Sequence, residues 1–481
     1  MQGRKKYQEK LFTNFQLSER VPQDNFYRRL KETLDLNFLY AATAQYYGSE
    51  GQKSIDPVVF FKLLLVGYLE NQPSDRRIIN MASMRMDVLY FIGYDIDEEL
   101  PWHSTLSRTR QLYHEDIFNE LFKKVLRQCV NKGMLSGRRQ AIDSVLVKAN
   151  ASMDSLVERE VLEDASDFIR QLKENEQEQD NIVQMPSNDT SPKEAKRSNA
   201  NRVSTTDPDS RMAVKPGKVT RLNYLTQLSV DTSSYVITHI GAFHADKRDS
   251  QCLDTVLEKA SENLKENELE IGEIIADTNY SSSEALESLQ KRGIKGYIPN
   301  TGAYKPEREG FTYDKENDTY YCSQGKPLTL NGYRNHHGIT KVYLSKRADC
   351  RECPLKTVCL GKAQQKMITN ALAKPLFDQM HRRINSADGR RMMTIRKSTV
   401  EPVIGTLVEY TGMKKLYTKG IVLANKCVIL AGIAYNLKKL LNHQECKLKT
   451  KLNRYNQQLY ELFSPISANT NHFGWRCSSL T

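Results

Sequence analysis

Two aspartates stand where an apolar strand would not normally carry charge. "RRQAIDSVLVKANAS" is short and β-rich around Asp143, and "GEIIADTNYSSSEALESLQKRGIKGYIP" runs apolar up to Asp277 before a polar turn. An unpaired carboxylate at the end of a buried strand is costly, so each must be paired, hydrogen-bonded or bound to a metal. Taken singly, either aspartate also suits a turn or a cap. If the two strands are neighbours, the acids converge at one sheet edge and can share hard divalent cations, for which oxygen ligands are the natural choice. A third acid, Glu401, lies in "RRMMTIRKSTVEPVIGTLVEYTGMKKLYTKG", where Val400, Val403, Ile404 and Leu407 have helical spacing and Lys397 falls one turn earlier on the same face. Pro402 either kinks that helix or marks its first turn. Three carboxylates with a nearby cation can hold two metal ions, one activating a nucleophilic oxygen and one stabilising the leaving oxygen of a phosphodiester.

A second group is soft. Between Asp277 and Glu401 the chain reads "YYCSQGKPL" and then "ADCRECPLKTVCL". Cys350 and Cys353 have the two-residue spacing of a zinc knuckle, with Cys359 beyond them and Cys322 upstream as a fourth thiolate. Four soft ligands with no open position suit a structural zinc, against the alternative of free, partly buried thiols. The other cysteines, at 129, 252, 427, 446 and 477, show no such grouping. Nine cysteines at irregular spacing suggest a reducing compartment rather than a disulfide framework.

Elements must position these groups. Residues 1–135 read as helical: "DPVVFFKLLLVGYLEN" begins at Asp56 and Pro57, "SDRRIINMASMRMDVLYFIG" at Ser74, and a third amphipathic stretch runs to Gly133. Arg108 and Arg110 could belong to a helix-turn-helix that enters a DNA groove, or the region could be purely structural. From residue 136 the period changes to strand, hairpin, helix, strand, helix, strand, which implies a mixed sheet covered by helices. The stretch from about 158 to 206 is polar and aromatic-poor, which predicts a disordered insertion. Residues 443–481 form a basic tail that contacts phosphates or is simply solvated.

The net charge is +12 over 481 residues, and residues 341–460 hold 24 Lys and Arg against 7 Asp and Glu. A basic surface attracts a polyanion by counterion release, so nucleic acid is the first partner to consider, the alternative being a solubilising face. No run approaches the roughly 18 apolar residues of a membrane span, and the N-terminus lacks a signal-peptide stretch, so the chain reads as soluble and intracellular.

Four segments together, "AIDSVLVKANAS", "DPDSRMAVKPGK", "IADTNYSS" and "RKSTVEPVIG", resemble the DDE transposases of bacterial insertion sequences. The resemblance runs from about residue 10 to 442. It implies an α/β, RNase H-like mixed sheet with flanking helices over 136–442, preceded by an all-helical N-terminal domain and carrying a cysteine-containing insertion at about 300–370. It places the catalytic acids at Asp143, Asp277 and Glu401, with two Mg2+ or Mn2+ ions per site. The implied activity is cleavage of element ends and strand transfer into target DNA, by a homo-oligomer on double-stranded DNA in the bacterial cytoplasm at the nucleoid, with no membrane partner. A non-catalytic DNA-binding descendant, or a nuclease without strand transfer, are the alternatives. Three positions depart from the family pattern. Asn279 stands where relatives usually have Gly and suits the left-handed backbone such a Gly would take. Val408 stands where they tend to have Lys or Arg. The family's arginine before the glutamate is matched only by Arg396 or Lys397.

Overall fold

The computed structural model describes residues 15–48, 50, 54–159, 199–214, 219–302, 304–335 and 339–443. Helices occupy the first part: α1 (Leu17–Arg20), α2 (Phe26–Thr33), α3 (Phe38–Thr43), α4 (Pro57–Leu69), α5 (Asp75–Ala82), α6 (Met86–Ile92), α7 (His103–Leu112) and α8 (Glu115–Asn131). The start of α4 follows directly from sequence. Asp56 accepts from the Val58 and Val59 amides at 2.7 and 3.1 Å, and Pro57 needs no hydrogen bond in the first turn. The single helix expected from Ser74 is instead two, α5 and α6, broken at Ser83–Arg85, and α6 ends at Gly93 with φ of 90°. The stretch that closes at Gly133 also divides, because Tyr113 and His114 are extended and His114 caps α8.

A six-stranded mixed sheet follows. Strand β1 (Arg139–Lys148) is central; β2 (Leu156–Glu158) pairs with β3 (Arg202–Ser204), and β4 (Arg211–Ala213), β5 (Arg221–Asp231) and β6 (Ile237–His244) complete an antiparallel side. Helix α9 (Asp249–Lys265), β7 (Glu273–Ile275), α10 (Ser283–Lys291) and β8 (Lys295–Tyr297) complete a parallel side. β6 and β4 flank β5, and the order continues β5-β1-β7-β8, with β1 antiparallel to β5 and parallel to β7. A three-stranded meander extended by two parallel strands is the RNase H-like arrangement, and the fold is α/β with a helical N-terminal region.

A second sheet is inserted before the last helices. β9 (Phe311–Asp314), β10 (Thr319–Cys322), β11 (Pro327–Asn335), β12 (Ile339–Ser345) and β13 (Met367–Ala371) form an antiparallel lobe, with the short α11 (Arg347–Arg351) and α12 (Lys356–Leu360) between its last two strands. Then come α13 (Lys374–Asn385), α14 (Ala387–Tyr410), with Pro402 inside it, and α15 (Ile421–His443).

The expected division near residue 135 follows the chain, not the core. One apolar cluster takes in Leu30, Phe61 and Phe118 from the N-terminal helices, Val145 and Leu228 from the sheet, and Val428, Ile433 and Leu437 from α15. Helix α15 is the common spine. Its Lys426 ammonium donates to the Arg110 and Tyr113 carbonyls at 3.0 and 2.7 Å, and Arg29 donates to the Leu441 carbonyl at 2.8 Å. By length and composition α15 is apolar enough to cross a membrane, a run that the sequence reading overlooked. Yet 72% of its apolar window is buried in the protein, so core packing accounts for that apolarity. The "DPDS" segment serves the same helix: Asp207 accepts from the Gly420 amide at 3.0 Å, and Asp209 from Ile421 at 2.9 Å.

Of the expected insertion, residues 160–198 lie outside the described residues, as do 444–481 of the basic tail. The flanks belong to the fold. Arg202–Ser204 pairs with Leu156–Glu158, and the Asn199 side chain bonds both the amide and carbonyl of Met212 at 2.8 Å. The expected boundaries at 158 and 206 were therefore too wide, because polarity alone does not register such pairing.

Arg110 is also corrected. Its side chain is 5% exposed and holds Asp75 at 2.5 and 2.9 Å, so it is unavailable to a DNA groove. Removing one partner of a buried ion pair leaves the other uncompensated, and Arg110→Ala is expected to cost about 3–5 kcal/mol. Urea denaturation of the variant checks this; a loss of DNA affinity at unchanged stability would return Arg110 to the DNA surface.

Candidate functional site

Strands β1 and β7 pair in parallel in the register Arg139↔Glu273, Gln140↔Ile274, Ala141↔Ile275. Asp143 and Asp277 each lie two residues beyond the last of these pairs. Strand alternation then sets both on one face, Asp143 in the middle of β1 and Asp277 just past the end of β7 beside it. Asp143 Oδ1 accepts from the Ser144 amide at 2.8 Å. Asp277 caps the turn Thr278–Tyr280, accepting from the Asn279 amide at 3.0 Å and the Asn279 side chain at 3.1 Å. Asn279 does not have the left-handed backbone expected of it; φ is positive at four non-glycine residues among those described, and Asn279 is not one. It orients Asp277 through an amide that glycine lacks.

One guanidinium joins the two acids. Arg396 Nη2 lies 2.7 Å from Asp143 Oδ2 and 3.9 Å from Asp277 Oδ2, with the three side chains 12%, 14% and 29% exposed. Burial pushes the Asp143 carboxyl up to about 6; Arg396 pulls against that rise and Asp277 adds to it. Asp277 is raised as well, chiefly by burial. Beneath them, the Tyr280 hydroxyl donates to Gln227, which donates to Asp249 at 2.7 Å. Asp143, Asp249 and Asp277 line one open groove of about 1950 Å³, in which Lys247, Arg248, Lys291 and Arg292 are outnumbered by these acids together with Asp246, Asp254, Glu284 and Glu287. Sequence reasoning missed Gln227 and Asp249, since neither sits in a motif, and left Arg396 as an approximate match.

Glu401 is not in this group. An α-helix turns about 100° per residue, so Glu401, five residues after Arg396 on α14, faces roughly 140° away from it. It is exposed, on the same outer ridge as exposed Lys397. Arg108 is exposed too. Val408 is half-buried against the core. Among the described residues no three His, Cys, Asp or Glu side chains stand close enough to grip an ion as placed.

The cysteines do share a place. Cys322 ends β10, Cys350 lies in α11, Cys353 follows it and Cys359 lies in α12, and all four line one small cavity of about 30 Å³ with Phe311, Leu328 and Leu360. The Cys350 thiol is 3.1 Å from the Ser345 hydroxyl, and all four are free thiols.

Two family models match the chain, one described as "Transposase domain (DUF772)" over residues 15–112 and one as "Transposase DDE domain" over residues 321–441. Both are models of transposase domains, and together they cover less than half of the chain. The first match covers the N-terminal helices through α7, and the second runs from β10 into α15. Among solved structures the chain is similar to one titled "Mos1 transposase paired-end complex with left transposon end", at 9% identity and a TM-score of 0.17. That likeness covers 54% of this chain and 62% of the other, so the chain spans less than two thirds of the relative's length; at such a score it adds nothing to the topology. No curated protein matches.

Transposase DDE domains of the kind matched at residues 321–441 generally use divalent metal. Asp143 and Asp277 fit a hard cation, being partly buried, adjacent and already drawn to a positive group. Glu401, as oriented, does not complete the set. Because protonated Asp143 is no ligand, Mn2+ affinity is expected to fall about tenfold per pH unit below the Asp143 value of about 6, and to level off above it. Calorimetric titration across that range checks this; affinity independent of pH would remove Asp143 from the ligand set.

Proposed function

We propose that the protein cuts DNA at the ends of its element and joins the freed 3′-hydroxyl to target DNA, at a site built on Asp143 and Asp277. The observation that supports this most is the parallel register of β1 and β7, which makes the two acids neighbours on one face. Mg2+ or Mn2+, two per site, would supply activation of the attacking oxygen and stabilisation of the leaving one. The chain's own part is positional. Rigid strands hold the carboxylates, and Asn279 and the Ser144 amide orient them. Glu401 joins as third ligand only if α14 turns it inward. Exposed Arg108 and Lys397 are proposed DNA contacts, and the working species is a homo-oligomer on double-stranded DNA at the nucleoid.

We further propose one structural zinc on Cys322, Cys350, Cys353 and Cys359. Soft thiols around a single cavity suit a closed tetrahedral site, which would tie α11 and α12 to the sheet of the inserted lobe.

The outward-facing Glu401 favours a second reading, a DNA-binding descendant without chemistry. Incubating the purified chain with its own element ends and Mg2+ separates the readings: cut and joined products support the first, cut products alone a nuclease, and retarded but intact DNA the second.

A further inference from the structure

We propose that Arg396 is a displaceable internal cation, holding Asp143 and Asp277 together until metal enters and withdrawing when it does. This rests on the reading of the two aspartates as metal ligands. Arg396 supplies the ion pairs found for both aspartates among the described residues, and it makes them through a single nitrogen, Nη2. Asp249, another acid of the groove, is engaged by Gln227 instead. A divalent ion bound between the same carboxylate oxygens would meet the guanidinium at hydrogen-bond range, where like charges repel strongly. Both cannot occupy the place at once.

The arginine is also loosely secured. Its Nε is buried without a hydrogen-bond partner, so the side chain is held by its charge rather than by a complete set of donors. The helix that carries it contains Pro402 six residues on, which lacks an amide and leaves the Ser398 carbonyl without its helical bond. Helices bend and rotate at such points. Arg396 and Glu401 lie on the same stretch, N-terminal to that break, so a turn of the stretch that withdraws the cation also moves the acid that now faces solvent. Arg396 is thus a positioning residue: in the metal-free protein it keeps two part-buried acids from repelling each other apart.

The test is Mn2+ binding without DNA, measured by calorimetry at about pH 8 on the native chain, R396Q, R396K and D277A. An opposite charge at this range shifts a carboxylate's affinity for a proton by about one to three powers of ten, and removing the competitor is expected to tighten Mn2+ binding by about tenfold. R396K keeps the charge and is expected to bind like the native chain. Metal-free R396Q is expected to melt lower and to gain more from Mn2+. In the native protein, the Arg396 side-chain NMR signal, assigned by its loss in R396K, is expected to shift as Mg2+ saturates, a readout that does not depend on R396Q folding. Equal or weaker binding by R396Q, or an unmoved Arg396 signal at saturation, overturns the proposal while D277A still loses binding. If D277A binds as well as the native chain, the aspartates are not ligands and the functional reading falls with it.

Discussion

Asp277→Ala is expected to abolish cleavage and joining of element ends while leaving DNA affinity unchanged. Two carboxylates on one face of neighbouring strands can concentrate positive charge where a phosphodiester reacts. A metal ion stabilises the charge developing on phosphoryl oxygens by several kcal/mol, and about 4 kcal/mol corresponds to roughly a thousandfold in rate. Loss of either aspartate should therefore cost at least about that factor, and Asp143→Ala should match it. Affinity for DNA comes from Lys and Arg contacts to phosphate, to which an acid contributes nothing favourable. Gel assays of cleavage and strand transfer, set beside a binding isotherm at fixed salt, read both halves. An Asp277→Ala protein that still cuts would sink the mechanism and leave the fold intact. Glu401→Ala is the informative companion: activity lost there means that α14 turns Glu401 inward during the reaction, and activity kept means that two acids suffice.

Loss of the proposed zinc should unfold the inserted lobe locally. Its own apolar core is small, centred on Tyr320, Leu328, Tyr343 and Ile368. The segment carrying three of the four cysteines has short helices, α11 and α12, in which no residue is buried. So little buried area cannot offset the entropy of ordering that segment, about 1–2 kcal/mol per residue for the backbone alone. A structural zinc contributes its binding energy to folding, apparently about 10–16 kcal/mol in small zinc peptides, part of which would be realised here. Cys353→Ser or a strong chelator is therefore expected to destabilise the lobe by several kcal/mol, visible as fast amide exchange over residues 346–366 with the RNase H-like sheet still protected. Metal analysis finding no zinc in protein prepared without chelator, or an unchanged exchange pattern in Cys353→Ser, would count against the site.

Local chemistry made much of the architecture legible. Asp56 and Pro57 announce the start of α4, because a capping carboxylate and a ring without an amide satisfy the first turn whatever surrounds it. The order of strand, hairpin, helix, strand, helix, strand could be read from periodicity, since burial of one face imposes that period on each element separately. The break between α5 and α6 and the one between α7 and α8 were hidden, because amphipathic spacing continues across both and only packing chooses where the chain bends.

By itself the sequence determined the resemblance to transposases, the order of strands and helices in the sheet and the presence of Asp143 and Asp277 on apolar, strand-forming segments. Each of these depends on residue type and near-neighbour spacing, which a chain carries before it folds. The tertiary structure alone decided that Arg396, not Glu401, stands against the two aspartates, that Arg110 is tied to Asp75 in the interior, and that the N-terminal helices share a core with α15. Those facts join residues far apart in sequence. Which side chain reaches which partner depends on the phase of α14 against the sheet, and the few degrees per residue that set that phase leave no trace in composition or spacing.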